Sequence, residues 1–335
     1  MSTDAVTWSP HETLAPDPES KRLDFFYFYL AVALLGVVGM VGNSIVLWLL
    51  TSSKELRKRL TTTLLINQSA IDLVSSVVLS ATYVYAMYPP ATYTTWLDSV
   101  GCMLFDAKLL VFCTLNTSTF CLVLITLERF LMIVYPVQHR VWMAKWKLAA
   151  MATAAWIWGF FGNAAITIPF VWTEDGVCHL FIWPDKLLQG LFAVMYYACV
   201  FLIPGIFFVY AYIRMHWIIR KRRHSVHPNM NVNENRLSAS QIHLTKICLM
   251  VTMAFIICWM PNQTYFMLFQ IGHDLEYGGM FWLVTQYLCF INSCINPFIY
   301  AFKHVGIRAA FKGKFATGNK TEVQVIKTAT RNTAL

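Results

Sequence analysis

From Asn67 to Asp72 the chain reads Asn-Gln-Ser-Ala-Ile-Asp, which places one carboxylate among amides and a hydroxyl inside a strongly apolar stretch. Asn43, which follows Gly42, and Asn292, Ser293 and Asn296, which precede Pro297, are further polar residues in apolar surroundings. Each such group is costly to keep there unless it is paired or hydrated. Two chemistries fit this inventory equally well. One is a hydrated site for a small monovalent cation such as Na⁺; the other is a structural hydrogen-bond network that ties three helices together. Enzymatic chemistry has little to work with. The sequence contains no P-loop, HExxH, GxSxG or His/Cys cluster, so hydrolase, kinase and metalloenzyme readings fall away and no enzymatic cofactor is implied.

The elements that must position these groups follow from composition. Of 335 residues, 57% are apolar and only 13% are charged, against roughly a quarter charged in soluble domains. One soluble core of this size cannot hide so much apolar surface. The polar breaks leave seven apolar stretches, at 25–51, 61–88, 101–134, 147–169, 187–219, 241–271 and 280–302. Each exceeds the roughly 20 residues needed to cross a bilayer. The fold class is therefore an all-α membrane protein, a seven-transmembrane helix bundle. Residues 1–23 are polar, with Pro10, Pro16 and Pro18 and no signal-type apolar core, so the first span itself is expected to direct insertion.

An odd number of spans puts the termini on opposite sides, and the basic residues choose between them. The first, third and fifth connections and the C-terminal tail hold nearly all of them, including Lys58, Arg140, Lys221, Arg223 and Lys312. That side is expected to be cytoplasmic. The opposite side carries only Lys21, Arg22 and Lys186 against eleven acidic residues. The net charge of +9 thus reports topology, and nucleic acid is not expected as a partner. Only Cys102 and Cys178 fall on the outer, oxidising side, so they are expected to form a disulfide. The other seven cysteines lie within spans, where they read as small packing residues.

Prolines at 169, 204, 261 and 297 interrupt the fourth to seventh spans and free backbone carbonyls there. Combined with their neighbours, they make the chain resemble the rhodopsin-like (class A) G-protein-coupled receptors from Phe25 to Lys312. The matching motifs are Gly42-Asn43, Asn67 to Asp72, Glu128-Arg129-Phe130 with Pro136 beyond it, Trp156 or Trp158, Pro204 with Tyr212, Phe255 to Pro261 through Trp259, and Asn296-Pro297-Phe-Ile-Tyr300. All occur in order across seven correctly oriented spans.

The resemblance implies a plasma-membrane receptor with its N-terminus outside, an outer ligand cavity, and a cytoplasmic face that accepts a heterotrimeric G protein. By similarity Glu128 pairs with Arg129 at rest. Phe255, Trp259 and Pro261 transmit ligand contact, and Tyr212 and Tyr300, with Asn296 and Pro297, restructure toward Arg129. Asp72, Ser118, Asn292, Ser293 and Asn296 match the family's sodium positions, which favours Na⁺ as an allosteric ion. Two departures stand out. Phe130 replaces the usual tyrosine, and Cys102 lies 27 positions before Arg129, two more than in most relatives, so the outer third helix must bulge or begin later.

Ligand class follows from what the cavity positions hold. The place of an amine-binding aspartate is taken by Leu109 or Val111, with Asp106 nearer the mouth beside Lys108, and the place of a retinal-binding lysine by Phe290. Tyr83, Tyr196, Tyr197, Asn262, Gln263, Phe266 and Gln286 offer aromatic surface with scattered amides, which favours a peptide, and the 292–297 run resembles neuropeptide receptors of the somatostatin and galanin type. An acidic vestibule would draw in a cationic peptide. A small-molecule receptor is the alternative; a seven-helix transporter is disfavoured by the lack of internal repeats. The expected organisation is an outer tail at 1–24, the receptor domain at 25–302, a short amphipathic helix on the cytoplasmic leaflet at 303–314, and a tail at 315–335 ending in Thr333-Ala334-Leu335, a pattern that PDZ domains accept.

Overall fold

A computed structural model describes residues 19–52, 60–224, 232–276, 279–304, 306–309 and 311. The N-terminal tail up to residue 18, the end of the 303–314 segment and the Thr333–Leu335 terminus lie outside the described residues. Helix α1 (Glu19–Ser52) packs along α2 (Leu60–Met87). The third span comprises α3 (Trp96–Gly101), a π-helical segment at Cys102–Asp106, and α4 (Leu109–Val134). A short α5 (Pro136–Trp142) leads to α6 (Lys145–Phe170), which packs against α4. The fifth span joins α7 (Lys186–Tyr197), a π-helical segment at Ala198–Leu202 and α8 (Ile203–His224). It is followed by α9 (Val232–Gln270) and α10 (Met280–Lys303), which pack on each other.

Six of the spans are long and apolar enough to cross a membrane by length and composition. The seventh, α10, has 24 residues, and its apolar character is diluted by buried Gln286, Asn292, Ser293 and Asn296. Large apolar side chains face outward along the bundle, among them Leu34, Val41, Ile157, Phe161, Leu191 and Ile213. The interior combines an apolar core with polar groups such as Asn43, Gln68, Asp72, Ser118 and Asn296. The apolar outer surface suits a chain whose solvent is lipid.

Local chemistry sets the element ends. Thr95 caps α3 reciprocally: its hydroxyl accepts from the Asp98 N–H at 3.2 Å, and the Asp98 carboxylate accepts from the Thr95 N–H at 2.8 Å. Asp185 caps α7 by accepting from the Leu188 N–H at 2.7 Å. Pro136 stands in the first turn of α5, where its missing N–H is not needed. The Ala198–Leu202 π segment ends two residues before Pro204, whose ring and missing N–H disturb the preceding turn.

The outer third span resolves the spacing anomaly. Its extra residues are absorbed by the π turn at Cys102–Asp106 and by Lys108, which adopts a left-handed conformation with φ 54° before α4 begins. Between α6 and α7 lies a hairpin that the motifs did not reveal, β1 (Val171–Glu174) paired antiparallel with β2 (Val177–Leu180). Its turn, Asp175-Gly176, has φ of 51° and 78°; paired positive φ values suit the tight twist of a two-residue hairpin.

Candidate functional site

At the outer end, β2 holds Cys178, which is joined to Cys102 of the third span as expected. Three further ties converge there. The Tyr93 N–H donates to the Gly176 carbonyl at 3.0 Å, the Tyr93 hydroxyl donates to Asp106 Oδ2 at 2.8 Å, and Ser99 shares a hydrogen bond with Thr173. Burial, and then the Asp106 carboxylate, raise the Tyr93 phenol above its ordinary value, so it remains a donor at any physiological pH. Tyr93, Cys102, Ala107, Val171 and Cys178 bury together beneath this strap.

Below it lie the expected ligand residues. Tyr83 of α2 donates to Gln286 Oε1 of α10 at 3.4 Å and packs edge-on against Phe290. Asn262 of α9 donates to Thr285 Oγ1 at 3.3 Å. Phe266 meets Tyr196 of α7 edge-on at 6.4 Å and Trp282 at 6.1 Å. Gln263 is buried beside them in sequence, and among the described residues its Oε1 has no partner. Tyr197 behaves differently. Its ring packs on Phe201 one turn along its own helix, whereas Tyr196 points to α4 and accepts from Asn116 Nδ2 at 3.2 Å.

At mid-depth Asp72 is fully buried. Its carboxylate accepts from Ser118 Oγ at 2.9 Å, from Asn296 Nδ2 at 2.7 Å, and from Gln68 Nε2 at 3.1 Å to each oxygen. Gln68, an amide of the 67–72 run, stands one turn before Asp72, the helical spacing that lets it reach the carboxylate. Ser293 reaches Ser75 at 3.4 Å instead, and its carbonyl accepts from Asn43 Nδ2 at 3.1 Å. Among the described residues the Asn292 side chain has no partner, and Gln68 Oε1 and Asn296 Oδ1 are likewise unpartnered. The donors around Asp72 make a complete network as they stand. The same amides carry spare oxygens, the donor type that a small hard cation takes. Among the described residues no group of three His, Cys, Asp or Glu could hold a metal ion.

Trp259 stacks on Phe255 at 5.3 Å, and Phe255 meets Phe208 edge-on at 5.7 Å. Trp156, not Trp158, is the inward residue of the fourth span. It donates to Asn67 Oδ1 at 3.3 Å, while Trp158 is 57% exposed.

At the inner end Arg129 forms a two-pronged pair with Glu128, Nε to Oε2 at 2.5 Å and Nη2 to Oε1 at 2.8 Å. Both are buried. Two residues outside the motif hold the carboxylate as well. Thr61 of α2 donates to it at 3.2 Å, and His139 Nε2 of α5 lies 3.4 Å from Oε1. Above the pair, Leu65, Leu122, Ile125, Cys248, Val251, Thr252 and Tyr300 line a void of about 10 Å³, roughly one water sphere. Among the described residues the Tyr300 hydroxyl has no partner, and Tyr212 reaches Thr126 at 3.5 Å without bonding Arg129. Pro261 and Pro297 lie inside α9 and α10.

Residues 42–300 match the family described as the 7 transmembrane receptor (rhodopsin family). The chain belongs to that family: it is a multi-pass membrane receptor and not an enzyme. Among its relatives, galanin receptor 2a of Danio rerio is 26% identical over 305 residues, covering 88% of this chain and 79% of the relative. Neuropeptide Y receptor type 6 of Mus musculus is 24% identical over 323 residues, 85% and 82% of the two chains. Somatostatin receptor type 4 of Rattus norvegicus is 25% identical over 329 residues, 92% and 80%.

Proposed function

We propose that this receptor is activated from outside the cell by a peptide and passes the signal to a heterotrimeric G protein, with its N-terminus extracellular and its C-terminus cytoplasmic at the plasma membrane. The observation that carries the reading is the buried Glu128–Arg129 pair at the end of the bundle opposite the aromatic and amide lining of Tyr83, Tyr196, Asn262, Phe266 and Gln286. Relatives named as receptors for neuropeptide Y and neuropeptide FF support a peptide ligand.

In the resting arrangement Arg129 is neutralised by Glu128, and Tyr300 lines a small void with Leu65, Leu122 and Ile125. A ligand that binds one arrangement of α9 better shifts the population toward it, and a cytoplasmic partner contacting freed Arg129 shifts it the same way. Phe255, Trp259 and Pro261 form the relay, and Tyr212, Asn296, Pro297 and Tyr300 the elements that rearrange. Na⁺ is proposed at Asp72, Ser118, Asn292, Ser293 and Asn296, favouring the resting state. PDZ-domain capture of Thr333-Ala334-Leu335 is a further proposed contact. A peptide library screened for nucleotide exchange on G proteins in cells expressing the chain tests the main reading. Activation by at least one peptide class is expected; activation only by non-peptide compounds would overturn it.

A further inference from the structure

At the inner end of α10 the chain turns at His304, which is buried and has extended backbone. The last carbonyls of a helix find no N–H within their own helix. In a continuing helix the Ile307 N–H would reach back to the Lys303 carbonyl. Here it donates to His304 Nδ1 at 3.1 Å, while the Arg308 N–H donates to the His304 carbonyl at 3.0 Å. The Lys303 carbonyl is met from another span: His243 Nε2 of α9 donates to it at 2.7 Å. A carbonyl only accepts, so Nε2 of His243 carries a proton. The donor also lies at the negative end of the α10 dipole. Neither histidine belongs to the motifs that mark the family.

This bond sits at the tip of a lever. On the outer side of Pro261, α9 is fastened to α10 and the loop before it. Asn262 Nδ2 donates to Thr285 Oγ1 at 3.3 Å, the Tyr265 and Phe266 rings lie 5.5 and 6.1 Å from that of Trp282, and the Tyr265 hydroxyl donates to the Glu276 carbonyl at 2.9 Å. Pro261 lies inside the helix, where a proline allows a bend. From there to His243 is about 18 residues, roughly 27 Å of helix. A bend of about 5° at Pro261 moves His243 by about 2 Å, which carries the ring out of hydrogen-bond range. The facing helix α4 does not hold the lever in the same way. Arg129 is engaged by Glu128 of its own helix, and among the described residues no hydrogen bond or ion pair joins it to α9.

We propose that the bond from His243 to the Lys303 carbonyl is a latch that restrains ligand-independent coupling, and that His304 keeps this carbonyl available by taking the Ile307 N–H. The bond exists only while the inner end of α9 lies against α10, so it adds stability to that arrangement alone and sets its population. Once α9 swings away, ring and carbonyl are hydrated, and the difference is the net weight of one hydrogen bond. The acceptor belongs to the backbone, so the latch is indifferent to the side chain at 303. Both histidines act through helix position and are positioning residues. The assignment rests on the receptor reading, since what the latch restrains is passage of a signal to a G protein.

The test uses the full receptor in bilayer nanodiscs without ligand and reads two quantities. One is nucleotide exchange on added heterotrimeric G proteins. The other is the distance between spin labels at Lys246→Cys on α9 and Ala301→Cys on α10, with the exposed Cys199 replaced by Ser. His243→Ala is expected to raise exchange about fivefold, the weight of one hydrogen bond, and to enlarge the long-distance population. His243→Gln, whose amide can donate to the same carbonyl, and Lys303→Ala should match the parent in both. His304→Asn keeps an acceptor for the Ile307 N–H and should also match it, whereas His304→Ala should move both readouts in the direction of His243→Ala. Exchange and distance unchanged in His243→Ala, or His243→Gln behaving like His243→Ala, overturns the latch and leaves the coupling reading standing. Exchange absent from the parent and every variant with all G proteins rejects the coupling reading, while a lengthened distance in His243→Ala alone still supports the latch.

Discussion

Asn296 of α10 donates to the Asp72 carboxylate of α2 at 2.7 Å, across 224 positions of sequence. The next residue is Pro297, inside the helix. A change in α10 at that proline therefore acts directly on the buried carboxylate, and whatever stabilises the carboxylate acts on α10.

Sodium is expected to weaken agonist binding in wild type, because an ion bound at Asp72 favours one arrangement over the other. Asp72→Asn removes the charge and with it the sensitivity. Competition binding in Na⁺ against a matched bulky organic cation controls for screening. Equal salt responses in wild type and variant would assign the cluster to structure alone.

Arg129→Ala is expected to abolish nucleotide exchange. It also removes the charged partner of buried Glu128, leaving its carboxylate to Thr61 and His139, a defect of up to about 3–5 kcal/mol. Surface expression should therefore fall in the single variant and recover in Glu128→Gln/Arg129→Ala, while signalling stays absent in both. Full exchange in the double variant would remove Arg129 from the coupling machinery. Glu128→Gln alone should raise ligand-independent exchange several-fold.

Cys102→Ser or Cys178→Ser should lower surface expression and agonist affinity, since the hairpin then loses its covalent tie to the third span and depends on non-covalent contacts such as Tyr93–Gly176 and Ser99–Thr173. Peptide mapping of wild type without reduction should recover the two cysteines linked. Free thiols at both positions would contradict the arrangement.

Gly159 and Gly162 lie one turn apart on α6 and should respond oppositely to a side chain. A Cβ at Gly159 would run into Thr117 and the Cys113 carbonyl of α4, whereas at Gly162 it meets nothing within 4 Å. Gly159→Leu is expected to lower stability by about 1–3 kcal/mol, read as a drop in Tm in detergent. Gly162→Leu should leave Tm nearly unchanged.

Much of this was legible in the residues. Seven apolar stretches, the basic connections and two outer cysteines are properties of composition along the chain, and lipid as solvent makes them strong signals. The two extra residues after Cys102 announced a distortion, and the π turn with Lys108 supplied it. What stayed hidden depends on which way a side chain faces. A helix that is apolar on all sides has no amphipathic stripe to orient it, so Tyr196 could not be told from Tyr197, or Trp156 from Trp158. Thr61 and His139, which hold Glu128, come from α2 and α5 and share no spacing with it. The hairpin was different, since Asp175-Gly176 between β-branched and aromatic residues is a readable turn signal that the helical context obscured.

The strap formed by Tyr93, Gly176 and the 102–178 bridge bears on time as well as shape. If the proposed ligand enters past this hairpin, each arrival and departure is expected to wait on a local opening of the Tyr93–Gly176 contact, because the bridge to Cys178 does not open. Related ligands should then differ chiefly in how long they stay.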